Sequence, residues 1–464
     1  MGAVGAGVTE EESLPVRAVG VNGPAPTRRA MMVVVAVSGV LRILAAFVMG
    51  PVVLSDSARY TQGLDMTGSR GSPAPLVQGV WSAPTGLALI TQVLLSSLAW
   101  GALAFVVGRL PRCKIRAWGS LVFVLVISWS PVVLTYDAAI LTESLATSGV
   151  LAACVAVFAL VVPRVQETIP RRVSFVLCAL GILVAVLSRP PTVLLVLPMA
   201  AAGIVLGFRS GLGRSTWAGL ILATVVVCCG GWAGWAQSHA SAQQSSFVAQ
   251  NLLTLRATSD YVALAERAGM PTCSSLTPQE LVAAVRATYA YKGLGPLQVR
   301  WRHSDAAGAL RERFGTECPA IVGWLQTDSA PTSLEWLEAD PVEVLTLYQQ
   351  DLVNQSMPQA LSPPAPNEIR KLSAVAVVAL NVTAMALLAF AWVGTLRRRG
   401  ADTRGAHWLT AVMVCTWGAY SFVTWLADAM EMPRHVLPVT MLLAPLGLLA
   451  FLAMEDVPSS VELR

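Results

Sequence analysis

Asp56, Arg59 and Tyr60 follow one another in 55-SDSARYTQGL-64, directly after an apolar run that ends at Leu54. A carboxylate at the mouth of an apolar span is poorly solvated. That raises its pKa and makes it a better proton acceptor. On a helix, positions three and four apart share a face, so the guanidinium and the phenol would flank the acid. The same residue types also make an interfacial helix cap, a snorkelling anchor and an aromatic-belt residue. Spacing alone leaves both readings open.

A second acidic stretch is 136-YDAAILTES-144, with Asp137 and Glu143 bracketing the start of another apolar run. If a helix begins near Asp137, Glu143 lies roughly 9 Å inside it, at a rise of ~1.5 Å per residue. A carboxylate at that depth costs several kcal/mol unless it meets a cavity or a partner. Its structural alternative is a tie to neighbouring hydroxyls or to an arginine from another span. A third group is Arg434 and His435 in 428-DAMEMPRHVLPV-439, beside Pro433. A helix start favours anions, so a cation there points to an anionic ligand such as a phosphate, or else to a lipid-headgroup anchor. Arg189 in 187-LSRPP-191 is similarly placed in a very short loop.

Histidine occurs four times, at His239, His303, His407 and His435. That excludes a His-rich metal site and gives a serine triad little support. Of the eight cysteines, Cys273 and Cys318 alone fall in the large hydrophilic segment. Neither has a CxxC partner, so zinc is not expected. An extracytoplasmic disulfide between them is, with two unpaired thiols as the alternative.

These residues need a scaffold, and the composition says which kind. The 464-residue chain is 55% hydrophobic and 13% charged, and its mean hydropathy is +0.62. Soluble domains carry roughly 25% charged residues. The deficit is spread over several long apolar runs, which predicts an all-α polytopic membrane protein. About ten transmembrane helices are expected, at 31–54, 84–108, 117–136, 139–162, 173–188, 190–208, 216–236, 372–396, 406–427 and 433–454. The expected organisation is a disordered cytoplasmic tail (1–30), an N-terminal transmembrane module (31–236) of about seven helices, and an extracytoplasmic, mainly helical segment (237–371). A C-terminal transmembrane module (372–454) of about three helices and a cytoplasmic tail (455–464) complete it. The first span shows no small-residue cleavage site and reads as retained.

Basic residues collect in alternate loops: Arg28 and Arg29; Arg109, Arg112, Lys114 and Arg116; Arg164, Arg171 and Arg172; Arg209 and Arg214; and Arg397, Arg398 and Arg399. The opposite loops hold few. Both termini are therefore expected in the cytoplasm, and the net charge of +5 reflects topology, not nucleic-acid binding. Asp56, Asp137, Glu143, Arg189 and Arg434 then share the extracytoplasmic side. The spans read as carrying almost no charge at mid-membrane.

In this order the pieces resemble the membrane-embedded glycosyltransferases of the GT-C fold, in the bacterial branch related to protein O-mannosyltransferases and aminoarabinose transferases. The resemblance rests on Asp56 after the first span, 141-LTESL-145 opening the fourth, 188-SRPPTVLLVLP-198, and 434-RHVLP-438 at the last. It covers roughly 31–236 and 405–454. One departure is Ser57, where the family often has a second acid beside the first. The resemblance implies a first extracytoplasmic loop with amphipathic helices and a polyprenyl-phosphate sugar donor. Asp56 would be the general base that takes the proton of an acceptor hydroxyl, with inversion at the anomeric carbon. Arg59, Arg189 or Arg434 would neutralise the leaving phosphate. Tyr60 and His435 would lie beside them, and Asp137 and Glu143 would position the acceptor or hold a divalent cation.

The resemblance leaves a glycan, lipid or protein acceptor open, while the Ala, Val, Gly and Arg bias with few lysines points to a high-GC bacterium, hence to a bacterial plasma membrane and to cell-envelope glycan assembly or protein glycosylation. Two other classes remain open. A transporter or flippase would bury charges at mid-membrane and break helices there. A non-catalytic scaffold would present 237–371 to a partner.

Overall fold

The computed structural model describes residues 27–51, 85–111, 113–139, 142–209, 259–272, 404–428 and 441–454, with further positions scattered between them. Among the described residues the regular structure is helical, and there is no β-strand. The helices are α1 (Arg28–Met49), α2 (Thr85–Arg109), α3 (Lys114–Ser128), α4 (Pro131–Ala138), α5 (Glu143–Val161), α6 (Pro163–Gln166), α7 (Arg171–Ser188), α8 (Val193–Arg209), α9 (Ser259–Arg267), α10 (Arg404–Asp428) and α11 (Leu443–Met454). Helices α1, α2, α5 and α7 are each long and apolar enough to cross a membrane. The pair α3–α4, bent by 51°, would make a fifth span. The expected spans 216–236 and 372–396 lie largely outside the described residues, as do most of 237–371 and the first loop.

Local chemistry sets the boundaries. Thr27 caps α1, its hydroxyl accepting from the Ala30 N–H at 3.3 Å. The helix stops at Gly50, whose φ of 68° only glycine adopts without strain. Prolines place the remaining breaks, because the residue before a proline is pushed out of the helical region. Ser130 (ψ 144°) before Pro131 ends the α3 helix, Val162 (ψ 113°) before Pro163 ends α5, and Arg189 (ψ 99°) before Pro190 ends α7. The bend between α3 and α4 is therefore written in Ser130-Pro131.

Helix α5 is the axis of the bundle, buried almost throughout and enclosed by α2, α7, α8 and α10. Its contact with α7 is backbone against backbone. A Cβ on Gly149 would lie 2.4 Å from the Ala185 nitrogen, and one on Gly181 would lie 2.6 Å from the Ala153 nitrogen. The two GxxxA stretches 149–153 and 181–185 thus face each other, the small-residue packing that apolar helices use to approach closely. Helix α1 packs on α2 and leaves Val33, Val37, Val40, Leu44 and Val48 exposed. Lipid, not water, suits such a face.

The expected fourth span differs in one respect. The helix starts at Glu143 and not near Asp137, which sits in the last turn of α4. Glu143 is therefore the first residue of its helix, not nearly two turns inside it.

Candidate functional site: a buried charge cluster at one end of the bundle

Two ion pairs flank the gap between α4 and α5. The first joins Arg42 of α1 to Asp137 of α4, with both side chains out of solvent. Asp137 Oδ2 also accepts from Ser96 Oγ at 3.1 Å, and Oδ1 accepts from Ser144 Oγ at 2.6 Å. Arg42 Nη2 donates to Ser96 at 3.0 Å as well. The carboxylate thus ties α1, α2, α4 and α5 together. Beneath it, Gln92 of α2 donates to the carbonyls of Tyr136 (3.2 Å), Asp137 (2.9 Å) and Ala139 (2.9 Å). Those carbonyls lie at the end of α4, where the helix's own amides run out and the Ala139 N–H reaches only the Tyr136 carbonyl at 3.2 Å, so the amide acts as a cap supplied from another helix. Trp129 Nε1 donates to Ser38 Oγ at 2.9 Å and fixes the α3–α4 bend against α1.

The second pair joins Arg189 Nη1, just past α7, to Glu143 Oε1 at 3.3 Å, again buried. Tyr420 of α10 is fully buried within electrostatic range of both, and its hydroxyl is hydrogen-bonded to Thr424. At the opposite end of the bundle, Arg164 donates to the carbonyl of Leu110 at 2.8 Å and that of Leu452 at 3.5 Å. The acidic residues therefore gather at one end of the helices, and the basic loops around 109–116 and 164–172 lie at the other.

Of the expected site residues, Asp137, Glu143 and Arg189 come together at this end. Both carboxylates are held by arginines, the structural alternative foreseen for Glu143. Asp56, Arg59, Tyr60, Arg434 and His435 lie outside the described residues. Cys318 is disulfide-bonded, and Cys273 lies outside the described residues. Among the described residues no three His, Cys, Asp or Glu side chains gather in a metal-binding group.

Sequence reasoning passed over Arg42. Its signal was present: one arginine inside the apolar run 30–49 demands a partner or a cavity. The expectation of almost uncharged spans is corrected at this position, because the charge is sequestered by Asp137. Comparisons with protein-family models, curated proteins and solved structures give no match for this chain.

Proposed function

We propose that the chain is an inverting membrane glycosyltransferase that moves a sugar from a polyprenyl-phosphate donor to an acceptor hydroxyl on the extracytoplasmic face. The observation that carries this reading is the Glu143–Arg189 pair at 3.3 Å. It joins 141-LTESL-145 to 188-SRPPTVLLVLP-198, two of the stretches on which the GT-C resemblance rests, in one buried polar cluster. Asp137 lies beside it through Ser144, and α10, which leads toward 434-RHVLP-438, contributes Tyr420. On this reading the two ion pairs shape the end of the bundle, and Asp56 from the preceding loop takes the acceptor proton. Cations from 55–60 and 434–435 offset the charge building on the leaving phosphate, since Arg42 and Arg189 are already matched. The basic loops face the cytoplasm of a bacterial plasma membrane.

The test is transfer from synthetic polyprenyl-phosphate hexoses and pentoses to lipid, glycan and peptide acceptors, followed by mass spectrometry. Wild type should transfer. Asp56→Ala should lose at least about 100-fold of the turnover, the scale of general-base catalysis, and remain folded. No product from any donor with folded protein would overturn the reading.

One observation favours a second class. Arg42 is a buried cation within an apolar span, and the α4–α5 break lies beside its partner Asp137, an arrangement that membrane transporters use. Translocation of a fluorescent polyprenyl-phosphate lipid across proteoliposomes, without transfer, would select that class.

A further inference from the structure

The basic end of the bundle carries cations that nothing described neutralises. Arg28, Arg29, Arg109, Lys114, Arg171 and Arg172 are exposed there and make no ion pair among the described residues. Across 28–35, 101–118 and 163–174 the sole acid is Glu167.

Four of the six converge where α1, α2 and α3 meet. The Arg28 guanidinium lies 6.0 Å from the centre of the Phe105 ring, over its face. Arg109 is one turn beyond Phe105 on nearly the same side of α2. A Cβ on Gly101 would lie 2.7 Å from Val35 Cγ1, which seats α1 on that side. Gly108 is two turns further on, and a Cβ there would lie 3.1 Å from Leu121 Cβ. That contact brings the first turns of α3, which opens at Lys114, to the turn of α2 that ends in Arg109. Cations from three helices thus share one corner and focus a positive potential on it.

The surface below the corner says which kind of anion fits. On α1, Arg29 heads a stripe of exposed Val33, Val37 and Val40, with Val33 61% exposed. On α3, exposed Ile115, Val122 and Val126 run inward beside Lys114, and Val126 is 64% exposed. A soluble polyanion would use the cations and leave these valines unmatched. A phosphate at the rim with hydrocarbon along both stripes uses all of them.

We propose that the α1–α2–α3 corner is a binding site for an anionic phospholipid. Arg29, Arg109 and Lys114 hold the phosphodiester, Arg28 braced on Phe105 adds its charge, and the acyl chains lie along the stripes of α1 and α3. A choline or ethanolamine headgroup brings its own cation into the cluster and cancels the attraction, so the preferred headgroup has no amine. The site would serve a transporter or a scaffold as well as an enzyme, and so stands independently of the reaction proposed above.

Native mass spectrometry of the full chain in detergent, titrated with dioleoyl-phosphatidylglycerol or dioleoyl-phosphatidylcholine, tests this. The two lipids have identical chains and differ in headgroup charge. Phosphatidylglycerol should bind the wild type more tightly. Arg109→Gln and Lys114→Gln should each weaken it about fivefold, the worth of one basic side chain at an anionic membrane surface, and leave phosphatidylcholine unchanged. Arg171→Gln with Arg172→Gln removes two cations from α7, which packs on α5 and α8, and should change the binding far less. These side chains are exposed, so the variants should keep the wild-type unfolding midpoint. Arg29→Gln replaces either corner variant that does not. Equal affinity for the two lipids, unchanged affinity in the corner variants, or an equal loss in the α7 variant would each overturn the proposal. So would displacement by glycerophosphoglycerol, the headgroup without its chains, or by a single-stranded oligonucleotide, as readily as by the intact lipid.

Discussion

Asp137 holds more of this fold than any other single side chain described. Its two oxygens receive Arg42, Ser96 and Ser144 from three other helices. Burying both charges is expensive, and removing one partner strands the other without water. Asp137→Ala should therefore cost ~3–5 kcal/mol, read as a lowered unfolding midpoint in detergent. Replacing both members with apolar residues, Arg42→Met with Asp137→Leu, should recover a large part of that loss. If the double variant is less stable than Asp137→Ala, the pair is not acting as matched charges. The residue scale also shows the limit of sequence reading. Arg42, Asp137, Glu143 and Arg189 all stand out by type in apolar surroundings. Nothing in the one-dimensional order says that Arg42 takes Asp137 and Arg189 takes Glu143, because partners 95 and 46 residues apart meet only through helix packing.

At the scale of elements, the decisive contact is α5 on α7. Gly149 and Gly181 let the two backbones approach until a Cβ would overlap main-chain atoms, which cannot move aside as a flexible side chain would. Gly149→Leu should push the helices apart, separate Glu143 from Arg189, and lower the unfolding midpoint well beyond the effect of Gly119→Ala. Gly119 has nothing within 4 Å of its Cβ position and serves as the control. Equal midpoints for the two variants would show that the close approach does not matter. Helix ends at 161 and 188 were legible because prolines at 163 and 190 force them, whereas the expected span 117–136 ran across Pro131 and is instead broken there into α3 and α4. Nor was the late start at Glu143 legible. An apolar run permits a helix through 139–142, and the captured carbonyls of Tyr136, Asp137 and Ala139 end α4 there instead.

For the whole molecule, sidedness is the property on which the functional reading depends. Cys113 stands at the start of α3 among the basic residues of one end, partly accessible. The backbone N–H groups of Arg116 and Ile115 face its sulfur and hold the thiol below its ordinary value of 9.0. A lowered pKa means more thiolate at a given pH. In a variant that keeps Cys113 as the sole thiol, a membrane-impermeant maleimide should label inside-out vesicles and not right-side-out ones. The alkylation rate should rise with pH to a midpoint below 9.0. Labelling from outside would invert the topology and remove the extracytoplasmic site.

The sequence by itself determined the helical class, the apolar segments, and the separation of basic loops from acidic residues. All of these follow from composition and from short-range sterics, which act within a few residues. Tertiary structure alone decided that Asp137 and Glu143 are matched by arginines, that α5 is enclosed on all sides, and that Thr147 Oγ1, Ser188 Oγ and Trp417 Nε1 are buried with no hydrogen-bond partner among the described residues. Those facts depend on which faces of distant helices meet. That is settled by how closely small residues such as Gly149 and Gly181 let the backbones pack.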